Sequence, residues 1–90
     1  MQRVNREVVD GLRKQLDSYR AKRIPVESLK AAIWESAQAL SNVEAADLRR
    51  SLQAAEGRID ILAHTVDAAD LFHATLDVVA EARLREALGD

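Results

Sequence analysis

The stretch "LRRSLQAAEGRIDILAHTV", residues 48–66, decides the fold class of this 90-residue chain. Its apolar residues recur at alternating spacings of four and three, which places them on one face of an α-helix. The members of this seam are Leu48, Leu52, Ala55, Ile59, Leu62 and Val66. A two-in-seven repeat kept over about five turns is typical of a helix that packs against other helices. The sequence therefore predicts a long helix at the centre of an all-α protein.

Shorter periodic segments predict two helices before the seam, over about residues 5–22 and 26–40. The inner face of the first holds Val8, Leu12, Leu16 and Tyr19, and that of the second holds Leu29, Ile33, Ala37 and Leu40. Pro25 separates them, because proline disfavours helix at the preceding residue and suits the first turn of a new helix. In "SNVE", Ser41 and Glu44 match a capping box that begins the seam helix.

A fourth helix is predicted after Asp67, whose carboxylate suits the N-cap position. Its apolar stripe includes Phe72, Leu76 and Val79, continues through Leu84 and Leu88, and stops at Gly89. The third and fourth helices either meet at a turn in "VDAAD" or run on with a kink. The predicted fold is a compact antiparallel bundle of four helices, forming one domain over residues 1–90.

Composition excludes several classes of protein. The chain has no cysteine, which excludes disulfides, thiolate metal sites and cysteine nucleophiles. It has neither a signal-peptide core nor a membrane-spanning apolar run, so we expect a cytoplasmic protein that does not bind membranes. Aromatic residues make up only 3% of the chain, too few for a surface that stacks on nucleic-acid bases. We expect no nucleic-acid partner.

Charge is unevenly distributed around the formal total of −2. Residues 1–23 carry seven basic and three acidic side chains, whereas residues 24–90 carry six basic and twelve acidic ones. One explanation is that oppositely charged helices pack side by side. The other is that an acidic surface meets a basic partner.

Both histidines and four aspartates lie in "RIDILAHTVDAADLFHATLD", residues 58–77. Aspartate and histidine can bind metal ions, and pairs such as Asp60 and His64 are spaced for one helical face. Helical phase, however, turns these side chains away from the seam, whereas metal ligands of helical bundles point inward. No nucleophile context or cofactor motif accompanies them. We therefore expect no metal, no cofactor and no enzymatic activity.

The same outward side chains form a candidate surface for a protein partner. Its members are Asp60, Ile61, His64, Asp67, Asp70, His73, Asp77 and Glu81. The acidic residues would select a basic partner, although charges of this kind also serve only to keep small proteins soluble. Trp34 is a second candidate anchor, because tryptophan is enriched among binding hot spots; the alternative is a place in the core.

Two segments resemble a group of small all-helical bacterial immunity proteins, which are encoded beside secreted polymorphic toxins. The first is "LDSYRAKRIPVESL" (residues 16–29), and the second is "AEGRIDILAHTVDAADLFHATLDVVAEARL" (residues 55–84). Together they cover about half of the chain. Lys22 and Arg23 stand where the group usually has a glycine.

The resemblance implies that the protein binds the catalytic domain of a cognate toxin and blocks its active site or substrate path. The alternative is a structural or adaptor module, in which the seam packs against a partner helix or completes a bundle in a homodimer. The sequence leaves both hypotheses open, and with them the oligomeric state.

Overall fold

Four α-helices make up the described part of the chain in the computed structural model, which describes residues 3–40 and 45–81 and the side chains of residues 5–40 and 45–80. In chain order the helices are α1 (Arg3–Arg20), α2 (Val26–Ala39), α3 (Ala46–Thr65) and α4 (Ala68–Glu81). No strand occurs within these ranges. The prediction of an all-α helical bundle is confirmed.

Two sequence-based predictions lie outside the described residues. They are the capping box of Ser41 and Glu44, and the end of the last helix at Leu84, Leu88 and Gly89.

α1 ends in a tight turn built on Lys22. The N–H of Lys22 donates to the carbonyl of Tyr19 at 2.9 Å, and the N–H of Arg23 donates to that of Ser18 at 2.8 Å. These are the two bonds of a Schellman motif, which requires a left-handed residue just after the helix. Lys22 has a φ of 60°, a conformation that costs a residue with a Cβ about 1–2 kcal/mol. Lys22 thus adopts a backbone conformation that glycine adopts without this cost.

α2 begins directly after Pro25. Its carbonyl accepts hydrogen bonds from the N–H groups of Ser28 and Leu29, at 3.1 and 3.3 Å. Pro25 is therefore the N-cap, one position before the predicted first turn. Its φ of −77° satisfies the proline ring, and its ψ of 167° keeps it out of the helix.

The core lies mainly between α1, α2 and α3. All four residues predicted for the inner face of α2 are buried, as are Leu12, Leu16 and Tyr19 of α1. Val9 rather than Val8 is the buried valine of α1, and Val8 is partly buried and packs against the core. On α3 the first four residues of the seam are buried, while Leu62 and Val66 are half-buried. The seam is therefore largely occupied by contacts within the chain.

The helices α3 and α4 are separate and meet at a turn. Val66 leaves the helix with φ −108° and ψ 141°, while its N–H still donates to the carbonyl of Leu62. The carbonyl of Asp67 then accepts from the N–H groups of Asp70 and Leu71, which starts α4. Of the two predicted alternatives, the turn in "VDAAD" is the correct one.

The helices α2 and α3 run antiparallel. Lys30, near the start of α2, contacts Asp60 near the end of α3. At the other end of the pair, Arg49 of α3 donates to the carbonyl of Leu40, which follows α2. Short connections between consecutive helices favour this arrangement.

α4 covers one side of this core. Thr75, Val78 and Val79 are buried, whereas Phe72 and Leu76, predicted as core residues, are half-buried and pack against it. The Phe72 ring lies 5.2 Å from that of Tyr19, centroid to centroid. The Nζ atom of Lys22 lies 4.9 Å from the Phe72 centroid, at cation–π distance. An aromatic contact therefore joins the start of α4 to the end of α1.

Candidate protein-binding surface

Two large apolar side chains are exposed in the described part of the chain, Ile61 at 63% and Trp34 at 48%. Single exposed apolar residues are common on soluble proteins and need no explanation by themselves. Here each of the two lines a groove between helices. The sequence left open whether Trp34 is exposed or lies in the core. The structure shows that it is exposed.

Ile61 lies beside a groove of about 440 Å³ between α3 and α4. The helix spacing explains the position, because Ile61 lies two residues from the buried Ile59 and so points away from the core. Other side chains that line the groove are Arg58, Leu62, Ala74, Asp77 and Val78. The floor is apolar, with one charge of each sign at its edges. A groove of this kind can receive an apolar side chain of a partner protein.

Asp60 lies at the α2–α3 interface rather than on a freely exposed face. Its Oδ1 atom is 2.7 Å from Nζ of Lys30, which also lies 3.3 Å from Oε2 of Glu27. The hydrogen bond from Lys30 lowers the pKa of Asp60 below its ordinary value of 3.8. The hydrogen bonds to Asp60 and then Glu27 raise the pKa of Lys30 above 10.5. Asp60 therefore connects two helices, and its charge is compensated within the chain.

His64 follows Asp60 by one turn and is exposed. Its Nδ1 atom lies 2.7 Å from the backbone carbonyl of Asp60. Because a carbonyl oxygen only accepts hydrogen bonds, Nδ1 carries the proton in this contact. A distance of 3.9 Å separates Nδ1 from the Asp60 carboxylate. The ring is therefore held along the end of α3, with Nε2 directed away from this contact.

The remaining candidates belong to α4 and the turn before it. Asp67, Asp70, His73 and Asp77 are exposed, as helical phase predicted. The His73 ring contacts that of Phe72 edge-on, with centroids 5.4 Å apart. The side chain of Glu81 lies outside those described.

Four members of the predicted set lie in two different surroundings. Asp60 and His64 lie on the side of α3 near α2, while Asp77 and Ile61 lie at the α3–α4 groove. Sequence analysis missed Lys30, which is 30 residues from Asp60 in the chain. No local spacing rule relates residues that far apart. Their opposite charges are the one signal in the sequence that is consistent with the pair.

The geometry gives little support to a metal site. Among the described residues, no three histidine, aspartate or glutamate side chains are grouped so that they could hold a metal ion. Nδ1 of His64 and the Asp60 carboxylate also have other partners.

No family model matches the chain, and neither curated proteins nor solved structures give a match. None of the described helices is both long enough and apolar enough to cross a membrane. Exposure, charge and packing of the described side chains are therefore the basis for a proposed function.

Proposed function

We propose that this protein binds another protein through the α3–α4 groove, with Ile61 as the apolar anchor. The observation that carries the proposal is the 63% exposure of Ile61 beside a groove with an apolar floor. An isoleucine on a regular helix has little freedom to lose on binding, so its burial in a partner is favourable. Asp77 at the edge of the groove supplies a charge that can select the orientation of the partner.

The partner that we propose is the catalytic domain of a cognate toxin, as the resemblance to immunity proteins implies. A rigid bundle suits this role, because its surface loses little conformational entropy when it binds. The protein would bind the toxin and block its active site or its substrate path. The cytoplasm, where such a toxin would act, is the proposed location.

The experiment first tests whether the gene next to this chain encodes a toxin-like domain, and then uses that domain. Co-expression of the wild-type protein should protect cells from that domain, and the two purified proteins should form a complex in calorimetry. Ile61→Asp should weaken the complex about 30-fold or more and abolish protection, because a charge would enter the apolar contact. A neighbouring gene without such a domain, or full protection by Ile61→Asp, would contradict the proposal.

Gln53→Asp is the matched control for this substitution. It introduces the same carboxylate at an exposed position of α3, two turns before Ile61 and outside the groove. Affinity and protection should stay at the wild-type level. Circular dichroism of both variants checks that the helices are intact.

Self-association as an adaptor module is the alternative from the sequence. The part of the seam from Leu48 to Ile59 is buried inside the chain, which weighs against a dimer through that face. Sedimentation of the isolated protein separates the two functions. A stable dimer that dissociates in Ile61→Asp, with no toxin bound, would favour the alternative.

A further inference from the structure

A second groove, of about 440 Å³, lies on the other side of α3, against α2. The residues that line it are Glu27, Lys30, Ala31, Trp34 and Glu56. The indole of Trp34 is about half exposed, so one part of the ring is fixed by the protein while the rest is open to solvent. The groove therefore combines an aromatic surface with charged side chains from two helices.

The charges of this groove are unbalanced. Lys30 is its one cation among the described lining residues, and Lys30 is bound by Asp60 at 2.7 Å and by Glu27 at 3.3 Å. Because Asp60 compensates the ammonium group, the carboxylates of Glu27 and Glu56 leave an excess of negative charge beside the indole. Glu27 is 68% exposed and can turn toward a bound group.

We propose that this groove binds a basic segment of another protein, with an arginine side chain stacked on Trp34. A guanidinium group is planar, interacts favourably with an aromatic face and donates paired hydrogen bonds to carboxylates. Glu27 and Glu56, which line the same groove as Trp34, supply those carboxylates. Lysine, a compact and strongly hydrated cation, fits the groove less well.

The first helix of a second copy of this chain is also basic, but it is a weaker candidate for the segment that binds in the groove. Arg13 lies 3.6 Å from Asp10, and Arg20 lies 3.7 Å from Asp17, within the same helix. Lys22 is directed to the Phe72 ring. These three cations already have partners within the chain, which favours a different protein as the occupant.

Trp34 is the single tryptophan of the chain, so its fluorescence reports on this groove directly. The probe is a blocked Arg-Ala-Arg peptide, titrated at low ionic strength. It should change the fluorescence in a saturable way that salt suppresses. The lysine version should bind more weakly, and the version with neutral citrulline should not bind. No change with the arginine peptide, or an equal change with citrulline, would overturn the proposal.

Substitutions of carboxylate residues test whether the peptide binds at this groove. Glu56→Gln should weaken the arginine peptide about threefold, as expected for loss of one exposed ion pair, and Glu56→Lys should weaken it further. Asp70→Asn, which removes an exposed carboxylate of α4, is the matched control and should leave the affinity unchanged. An equal loss in both variants would indicate only nonspecific attraction to a negative protein and would refute the site.

Two further measurements separate this inference from other outcomes. Ile61→Asp should bind the peptide normally, since the α3–α4 groove is distinct; peptide binding can therefore fail or succeed independently of toxin binding. Sedimentation of the wild-type protein alone should show a monomer. A dimer that Glu56→Lys dissociates would assign the groove to a second copy and overturn the foreign partner.

Discussion

The two sides of α3 differ in how firmly the neighbouring helix is held. Against α2, Leu29, Ile33 and Ala37 are fully buried opposite the seam, and the Lys30–Asp60 ion pair connects the two helices. Against α4, Leu62 and Val66 are only half-buried, and Ile61 stays exposed. α4 itself buries Val78 and Val79 but leaves Phe72 and Leu76 half-exposed. The difference teaches that α2 and α3 share the more deeply buried contact, while the contact with α4 leaves an apolar groove open beside Ile61.

The test with the largest expected effect on stability shortens one side chain on each side of α3. Ile33→Ala, in the fully buried part of α2, should lower the free energy of unfolding by about 3 kcal/mol, because it removes buried methylenes and leaves a cavity. Leu76→Ala, in half-buried α4, should cost about 1 kcal/mol, because its site is already partly hydrated. Urea denaturation measures both. Equal losses would show that α4 is held as firmly as α2.

A second test aims to stabilise the packing of α4 against the core. Thr75 is fully buried in α4, and the described residues give its hydroxyl no hydrogen-bond partner. Thr75→Val replaces this group by a methyl of similar shape and should raise the free energy of unfolding by about 1 kcal/mol. Thermal and urea unfolding should agree on the sign. Destabilisation by valine would mean that the hydroxyl is hydrogen-bonded in solution.

Lys22 affects the stability of the fold in two opposing ways. Its cation–π contact with Phe72 is stabilising, whereas its left-handed backbone conformation is destabilising. Lys22→Ala keeps the strained left-handed backbone and loses the cation–π contact with Phe72, so it should cost about 0.5–1 kcal/mol. Lys22→Gly also loses that contact but relieves the strain, and should leave the stability within about 0.5 kcal/mol of wild type. Unfolding curves of the two variants measure both changes in stability. Identical effects would show that the backbone strain is negligible.

The smallest effect concerns pH and the Lys30–Asp60 pair. Because folding lowers the pKa of Asp60, its contribution is complete above the ordinary value of 3.8 and is lost as pH falls through the lower folded value. Because folding raises the pKa of Lys30, that contribution is complete below 10.5 and is lost as pH rises through the higher folded value.

Unfolding curves of wild type and Asp60→Asn across this range measure the effect. Asp60→Asn should be less stable than wild type near neutral pH, and the difference should shrink at both extremes. A difference that does not change with pH would show that the ion pair does not stabilise the fold.

Much of the fold was predictable because helix periodicity is a local property. The seam from Leu48 to Ile59 and the inner face of α2 are buried as their spacing indicated. The errors arise where the packing of separate helices decides how deeply a residue is buried. Phe72 and Leu76 share the periodicity of core residues, but α4 lies at the edge of the bundle, where part of an apolar stripe remains uncovered.

The candidate site was predictable only in part. Helical phase correctly gave the exposure of Ile61 and of Asp70, His73 and Asp77. It did not indicate the contact of Asp60 with Lys30, because the position of a residue on one helix does not show which side chain of a neighbouring helix lies beside it. It also could not tell that Trp34 shares a groove with Glu56 of α3.

The sequence by itself determined that the chain is helical, roughly where α1 and α2 begin and end, and which face of α2 and α3 is apolar. Each of these follows from residues within a few positions of one another, whose backbone geometry fixes their relative placement. The tertiary structure alone decided the turn at Val66, the compensation of Asp60 by Lys30, and the two grooves that flank α3. Those features depend on how far apart and at what height separate helices pack, which no spacing along one helix specifies.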